Sequence, residues 1–301
     1  MSVVLIALVL LVVVAGAVLW AGGGKTVFEA QGVGIVEAVP GGLPESAAAP
    51  SEVLTLFSYN LAYGLGDTGW RSAPQGAAVV HDRLDRVIEA IAACGADAAL
   101  LQAVDFASRR TGCIPQLHCM AAALGWGYVA AITTWECRYL PAPWWRPGRY
   151  AGRVRAGQGI ISRLPLEHNS WQRLPQSRAF PMLAALFTPH DAVQVVDMRC
   201  GVRGVRLMQA HLGMPRTGRH QQREARLAAI VRRMAMPGCV MTGIDEATAD
   251  GICSNLGATL ALRLETGGVL LGSSWADAEV RVLPPLAGAS EHAPVLVTLR
   301  L

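Results

Sequence analysis

Binding-type side chains are densest in TWECRYLPAPWWRPGRYAGRVR, residues 134–155 of this 301-residue chain. The stretch sets Trp135, Trp144, Trp145 and Tyr150 among Arg146, Arg149, Arg153 and Arg155. Aromatic faces and guanidinium groups hold sugars, bases or phosphates. At a membrane, Trp and Tyr settle at the lipid interface instead. A third reading is a long loop packing its own aromatics over a sheet edge. The seven cysteines include no CxxC pair, which argues against a zinc site of the usual spacing. Cys94, Cys200 and Cys239 fall in apolar segments where cysteine acts as a small hydrophobe. Cys113, Cys119 and Cys137 lie close enough in sequence for a disulfide in an oxidising compartment. Taken singly, Asn60 is a turn asparagine, His211 and His292 are half-buried histidines, and Asp277 and Glu291 are solvated carboxylates near strand starts.

The elements that must position these residues follow from pattern. Apolar residues make up 52% of the chain and charged ones 16%, which excludes an intrinsically disordered protein. The 32 Gly and 17 Pro break any long heptad register. A net charge of +4, carried almost wholly by arginine, lacks the dense basic stripe of a nucleic-acid binder. Alternation predicts a strand at Val53–Tyr59, and a short apolar run predicts another at Ala98–Gln102. Further strand candidates are Tyr128–Thr134, Gly159–Ser162, Ala184–Thr188, Val193–Met198, Val205–His211, Cys239–Ile244, Glu279–Leu283 and Ala293–Leu301. Leu84, Val87, Ile88 and Ile91, spaced i, i+3, i+4, i+7, predict a helix over His81–Cys94 stopped by Gly95. Further helices are expected over Pro115–Leu124 and Arg219–Met236, with a looser helical stretch after Ile244. Helices mixed irregularly with adjacent strands indicate an α+β or layered sandwich.

Residues Ser2 to Ala21 carry no charge, and twenty helical residues at about 1.5 Å each match a bilayer core of roughly 30 Å. The segment 1–22 is read as a single-pass anchor, with a cleaved signal peptide as the competing reading. Residues 23–52 are rich in Gly, Ala and Pro and read as a spacer. Residues 53–301 form the soluble domain, expected on the extracytoplasmic side.

Five segments in order resemble the endonuclease/exonuclease/phosphatase superfamily, the DNase I-like hydrolases. They are FSYNLAYG, which places Asn60 at a strand end; RLDRVIEAIAACGADAALLQAVDFASRRTG; AGQGIISRLPL; VRLMQAHL, ending in His211; and SEHAPV, with His292. They span most of Val53–Leu301. The resemblance implies a four-layer α/β/β/α sandwich preceded by one transmembrane helix. It implies metal-dependent phosphoester hydrolysis, with Mg²⁺ or another divalent cation polarising the phosphoryl oxygens. It assigns Asn60 to metal or phosphate contact, His211 to phosphate and transition-state contact, and His292 to the general base or charge stabiliser. Glu291 stands for the aspartate that orients that histidine, and Asp277 for an acid before a late strand. Arg219, Trp144 and Arg146 are the substrate-binding candidates, and Asn60, Asp277, Glu291 and Glu246 the metal set.

Departures from the pattern bear on the same chemistry. The family's metal-binding glutamate is Ala103 here, and its "GDFN" is Gly243-Ile244-Asp245-Glu246. The water-orienting aspartate is thus Ile244, and the phosphate-binding asparagine Glu246. Mg²⁺ needs hard oxygen ligands, usually including carboxylates, so Asp105, Asp245 and Glu246 are the neighbours that would have to compensate. The expectation is a membrane-tethered phosphoester hydrolase by descent with weak or lost activity. Restoring Ala103→Glu with Ile244→Asp is then expected to raise any residual turnover. The alternative is a non-catalytic module that binds a phosphate-containing ligand through the former cleft and the Trp/Arg stretch.

Overall fold

Inward-facing positions alternate along nearly every strand, and this alternation builds the layers. The structure, a computed structural model, describes residues 3–23, 29–39, 52–66, 74–142, 150–175, 186–212, 220–256, 263–265 and 268–301. In chain order its elements are α1 (Val3–Gly22), β1 (Gln31–Val33), β2 (Ile35–Ala38), β3 (Val53–Asn60), α2 (Ala77–Ala93), β4 (Ala98–Asp105), α3 (Gln116–Leu124), β5 (Tyr128–Leu140), β6 (Gly152–Ser162) and β7 (Leu166–Arg173). These are followed by β8 (Ala192–Cys200), β9 (Arg203–His211), α4 (His220–Met234), β10 (Cys239–Thr242), α5 (Glu246–Leu256), β11 (Arg263–Glu265), β12 (Val269–Leu271), β13 (Glu279–Val282) and β14 (Val295–Arg300).

Two seven-stranded sheets result, ordered β1-β7-β8-β9-β10-β12-β11 and β13-β14-β3-β4-β6-β5-β2. Each holds one parallel pair, β3 with β4 and β9 with β10, and its other pairs are antiparallel. Both parallel pairs are joined through a helix, α2 or α4, which is how a chain returns to start a parallel neighbour. Leu54 and Leu56 of β3, Ala98 and Leu100 of β4, and Val205 and Leu207 of β9 meet in the core between the sheets. Phe57, Tyr59, Ala99 and Leu101 face outward onto Val80, Leu84, Val87 and Ile91 of α2. Met208, Ala210, Cys239 and Met241 do the same on the other side, under Leu227, Ile230 and Val231 of α4. The four layers are therefore helix, sheet, sheet, helix, as expected. Gly95 and Gly125, at φ +60° and +70°, end α2 and α3 in the left-handed region.

Several elements depart from the pattern reading. β1 and β2 lie inside the stretch read as a spacer and pair with β7 and β5, at one edge of each sheet. Gly34 carries the chain between them, donating its N–H to the Asn169 carbonyl at 3.0 Å. β7 is rich in polar residues and passes without a run of apolar residues to announce it. Leu186–Thr188, the described part of the expected strand Ala184–Thr188, is turn and bend. β5 and β6 run on as a paired ribbon to Leu140 and Gly152, so much of the stretch 134–155 is strand rather than loop. Trp135 is a core residue there, 3% exposed, donating its Nε1–H to the Phe187 carbonyl at 3.1 Å. All seven cysteines are free thiols, so Cys113, Cys119 and Cys137 form no disulfide. Burial pushes the Cys137 thiol up to about 11.

Candidate functional site

A buried polar layer crosses the space between the sheets. Ser58 donates to Thr242 Oγ1 at 2.9 Å. Gln102 Nε2 donates to Gln209 Oε1 at 2.9 Å, Gln209 Nε2 to Gln194 Oε1 at 2.8 Å, and Gln194 Nε2 to Asn169 Oδ1 at 2.9 Å. Asn169 ends the relay on the carbonyls of Ile35 and Ala131. Each amide donates in the same sense, so each bond polarises the next. These side chains are all under 6% exposed; Ser58, Gln102, Gln209 and Thr242 lie on β3, β4, β9 and β10, and Gln194 and Asn169 on β8 and β7. The layer fixes the two sheets relative to one another directly beneath the strand ends that carry the candidate residues.

At the end of β3, Asn60 Oδ1 accepts the Ala62 N–H at 2.9 Å. That bond fixes the amide orientation and turns Nδ2 toward His211 Nδ1, 3.5 Å away at the end of β9. An amide nitrogen only donates, so His211 Nδ1 must carry its lone pair and the proton must sit on Nε2. The imidazole is thus neutral, and its pKa agrees. Burial, with a smaller effect from nearby His292, lowers His211 to about 4. His292, on the segment before β14, donates its backbone N–H to Ser290 Oγ at 3.3 Å. More than a third of His292 reaches solvent. The protein around its ring still lowers its pKa by desolvation, with Glu291 opposing. Asn60, His211 and His292 are therefore brought together from positions far apart in sequence.

The acids are not. Asp105 is fully buried and bound in a fork, with Arg110 Nε at 3.0 Å on Oδ2 and Arg110 Nη2 at 2.7 Å on Oδ1. Thr111 Oγ1 adds a third donor at 3.0 Å. Arg110 is itself 1% exposed and lies between the rings of Tyr63 and Trp135, at 4.4 and 4.5 Å from their centroids. Ala103 sits at a β-bulge with φ +49° and packs into an apolar cluster with Tyr63, Trp135 and Ala156. Ile244 is buried under the outer helices with Met241, Ala249 and Ile252. Asp245 caps α5, accepting the Thr248 N–H at 2.9 Å and its hydroxyl at 2.8 Å. Glu246 is exposed in the first turn of α5. Asp277 is exposed in a turn before β13 and shares no hydrogen bond or ion pair with Asn60, His211 or His292 among the described residues. Glu291 is exposed and makes no hydrogen bond to His292 there.

Mg²⁺ requires near-octahedral oxygen donors including carboxylates. No three His, Cys, Asp or Glu side chains among the described residues come together in a way that could hold a metal ion. Asp277, Glu291 and Glu246 thus do not assemble the set expected from the sequence with Asn60. The carboxylate nearest in sequence to Ala103, Asp105, is already neutralised by a guanidinium. The donor set does not fit Mg²⁺. Arg219, Trp144 and Arg146 lie outside the described residues. The Gln102–Gln209–Gln194 relay is what the motifs did not signal, although each glutamine interrupts an otherwise apolar strand.

The four layers, with one parallel pair in each sheet, form a fold similar to that of solved endonuclease/exonuclease/phosphatase structures. Among solved structures, the endonuclease/exonuclease/phosphatase from Beutenbergia cavernae DSM 12333 matches at TM-score 0.59 and 18% identity, over 83% of this chain and 72% of that one. The human Nocturnin catalytic domain with bound sulfate anion matches at TM-score 0.49 and 16% identity, over 82% of this chain and 92% of that one. Comparisons with protein-family models and with curated proteins give no match.

Proposed function

We propose that this chain is a membrane-tethered phosphoester hydrolase by descent, with turnover that is weak or lost and a cleft that still contacts phosphate. Asn60 Nδ2, His211 Nε2–H and the neutral imidazole of His292 are the groups that would meet phosphoryl oxygens. Neutral histidines at pH 7 can donate to an anionic oxygen or take a proton from water. What they do not supply is the cation that balances charge on those oxygens during in-line displacement. The observation that carries this reading is the forked capture of Asp105 by buried Arg110, which removes the neighbour best placed to replace the carboxylate missing at Ala103. Arg219, Trp144 and Arg146 remain proposed contacts to the rest of the ligand.

The test is bis(p-nitrophenyl) phosphate hydrolysis by the purified full chain in detergent, with and without Mg²⁺. A phosphate titration followed by the imidazole NMR resonances of His211 and His292 accompanies it. The expected result is little or no Mg²⁺-dependent turnover, with both resonances shifting. Brisk Mg²⁺-dependent turnover that His292→Ala abolishes would overturn the proposal. Residual turnover that His292→Ala abolishes separates a weak hydrolase from the non-catalytic binding module, and resonances that phosphate leaves unmoved would overturn both.

A further inference from the structure

α1 is apolar along its length, and Val4–Ala17 are all exposed. Among the described residues its last turns touch the domain, through Val18 and Trp20 to Gly23. Gly22 is buried so closely that a Cβ there would lie 2.6 Å from Leu186 Cβ. The end of the helix is therefore packed directly on the domain at Leu186. If α1 spans a bilayer, the headgroup plane falls near Trp20, and whatever flanks the helix end at that level meets lipid.

The ribbon of β5 and β6 is what flanks it. Arg138 Cζ lies 5.9 Å from the Trp20 ring centroid. Tyr139 stacks edge-on against Tyr150 at 6.0 Å, and Arg138, Tyr139 and Arg153 are exposed. Described residues 133–142 and 150–156 carry Arg138, Arg153 and Arg155 against Glu136 alone. Aromatics that are apolar at one end and polar at the other, beside uncompensated guanidinium groups, suit an interface of anionic headgroups.

We infer that the end of the β5–β6 ribbon is an interfacial foot that rests on the anionic surface of the bilayer spanned by α1. The foot is coupled to the candidate site by direct contacts. Asn60 holds the Ala62 N–H, and Tyr63 packs on Trp135 at 5.6 Å between ring centroids. Cys137 Sγ donates to the Leu186 carbonyl at 3.4 Å, and Leu186 covers Gly22. These contacts link the end of β3 that carries Asn60 to the ribbon and to the end of α1. The inference rests on the membrane-tethered reading, while the foot itself is independent of any catalysis.

The experiment reconstitutes the full chain in nanodiscs containing photoactivatable phosphatidylglycerol or photoactivatable phosphatidylcholine. Lipid-crosslinked peptides are then mapped by mass spectrometry, with α1 as internal standard. The expected result is crosslinking of α1 with both lipids, and of the peptide spanning Arg138–Arg153 preferentially with phosphatidylglycerol. Arg138→Glu with Arg153→Glu should cut that ribbon crosslink at least fivefold and leave the α1 yield unchanged. Crosslinks confined to α1, ribbon crosslinks indifferent to headgroup and charge reversal, or a mature chain lacking α1 would each overturn the foot. Failure of the hydrolysis and phosphate-binding assays leaves the crosslinking result untouched, so the two proposals fail separately.

Discussion

Arg110 decides the chemistry near β4 more than any residue that the resemblance assigns to the site. Its fork onto Asp105 is a fully buried ion pair, and breaking such a pair leaves an unpaired charge. Arg110→Met should therefore destabilise the protein by about 3–5 kcal/mol, read from urea-unfolding midpoints. Asp105→Leu with Arg110→Met should cost less than the single change, because no charge is then left unpaired. A single change as mild as the double would mean that the pair carries no structural weight. Asp105 was legible as the possible substitute for the carboxylate missing at Ala103. Its partner, five residues on in ASRRT, was not, because only the turn at Arg109–Thr111 brings a guanidinium back onto the strand end. The histidines give a second test at this scale. His211, lowered to about 4, and His190, lowered by burial to about 3, are neutral when folded, whereas unfolded histidine titrates near 6.5. Below about pH 6.5 the unfolded chain binds more protons, so stability present at neutral pH is lost as pH falls toward 4. For His211 alone the loss is on the order of 3 kcal/mol. Unfolding midpoints measured between pH 7 and 4 should fall accordingly, and His211→Asn should flatten the slope. An unchanged slope in that variant would show that His211 is not held neutral.

β3 alternates, and β4, β8, β9 and β10 carry short apolar runs, which is why their places could be read from the sequence. What alternation does not reveal is that the inner face turns polar toward the site end. Gln102, Gln194 and Gln209 occupy positions that by pattern belong to Leu or Val. Their hydrogen bonds are distributed over three strands, so no single segment shows the partner. Gln209→Leu keeps the size and removes the middle of the relay. Gly159 O and Gln194 Oε1 then lose a donor, and Gln102 Nε2 loses one of its acceptors. At about 1–3 kcal/mol per buried group left unsatisfied, the variant should lose roughly 2–4 kcal/mol by thermal or urea unfolding. The relay lies beneath Asn60 and His211, so the His211 imidazole resonance should shift as well. A Gln209→Leu protein as stable as the parent would show that the layer is dispensable. β1 and β2 escaped the pattern for another reason. Strands of three and four residues are too short to show a period, and only the unpaired edges of β7 and β5 give them a place.

At the scale of the whole molecule, His211 stands at a strand end while Ala103 and Ile244 sit in apolar packing. The family pattern alone suggests that two substitutions, Ala103→Glu and Ile244→Asp, would return the missing charges and raise turnover. The surroundings of both positions oppose that outcome. Ala103 sits at φ +49° in a bulge and faces Tyr63 and Trp135, the two rings that enclose Arg110. A glutamate there meets apolar packing and a guanidinium with a buried, unpartnered Nη1, and would pair with Arg110 before it met a metal ion. Ile244 belongs to the cluster under α4 and α5, 6% exposed. A carboxylate in its place is buried without a cation, at a cost of several kcal/mol. The double variant should therefore lower the thermal midpoint, remain as slow as the parent on bis(p-nitrophenyl) phosphate, and show no Mg²⁺-dependent rise in that midpoint. A ligand bound only by the folded state raises it in proportion to RT ln(1 + [L]/Kd). A Mg²⁺-dependent rise together with regained turnover would mean that the bulge relaxes to present Glu at 103 toward His211. In that case the absent carboxylates, and not the packing around Arg110 and Ile244, set the turnover of the parent.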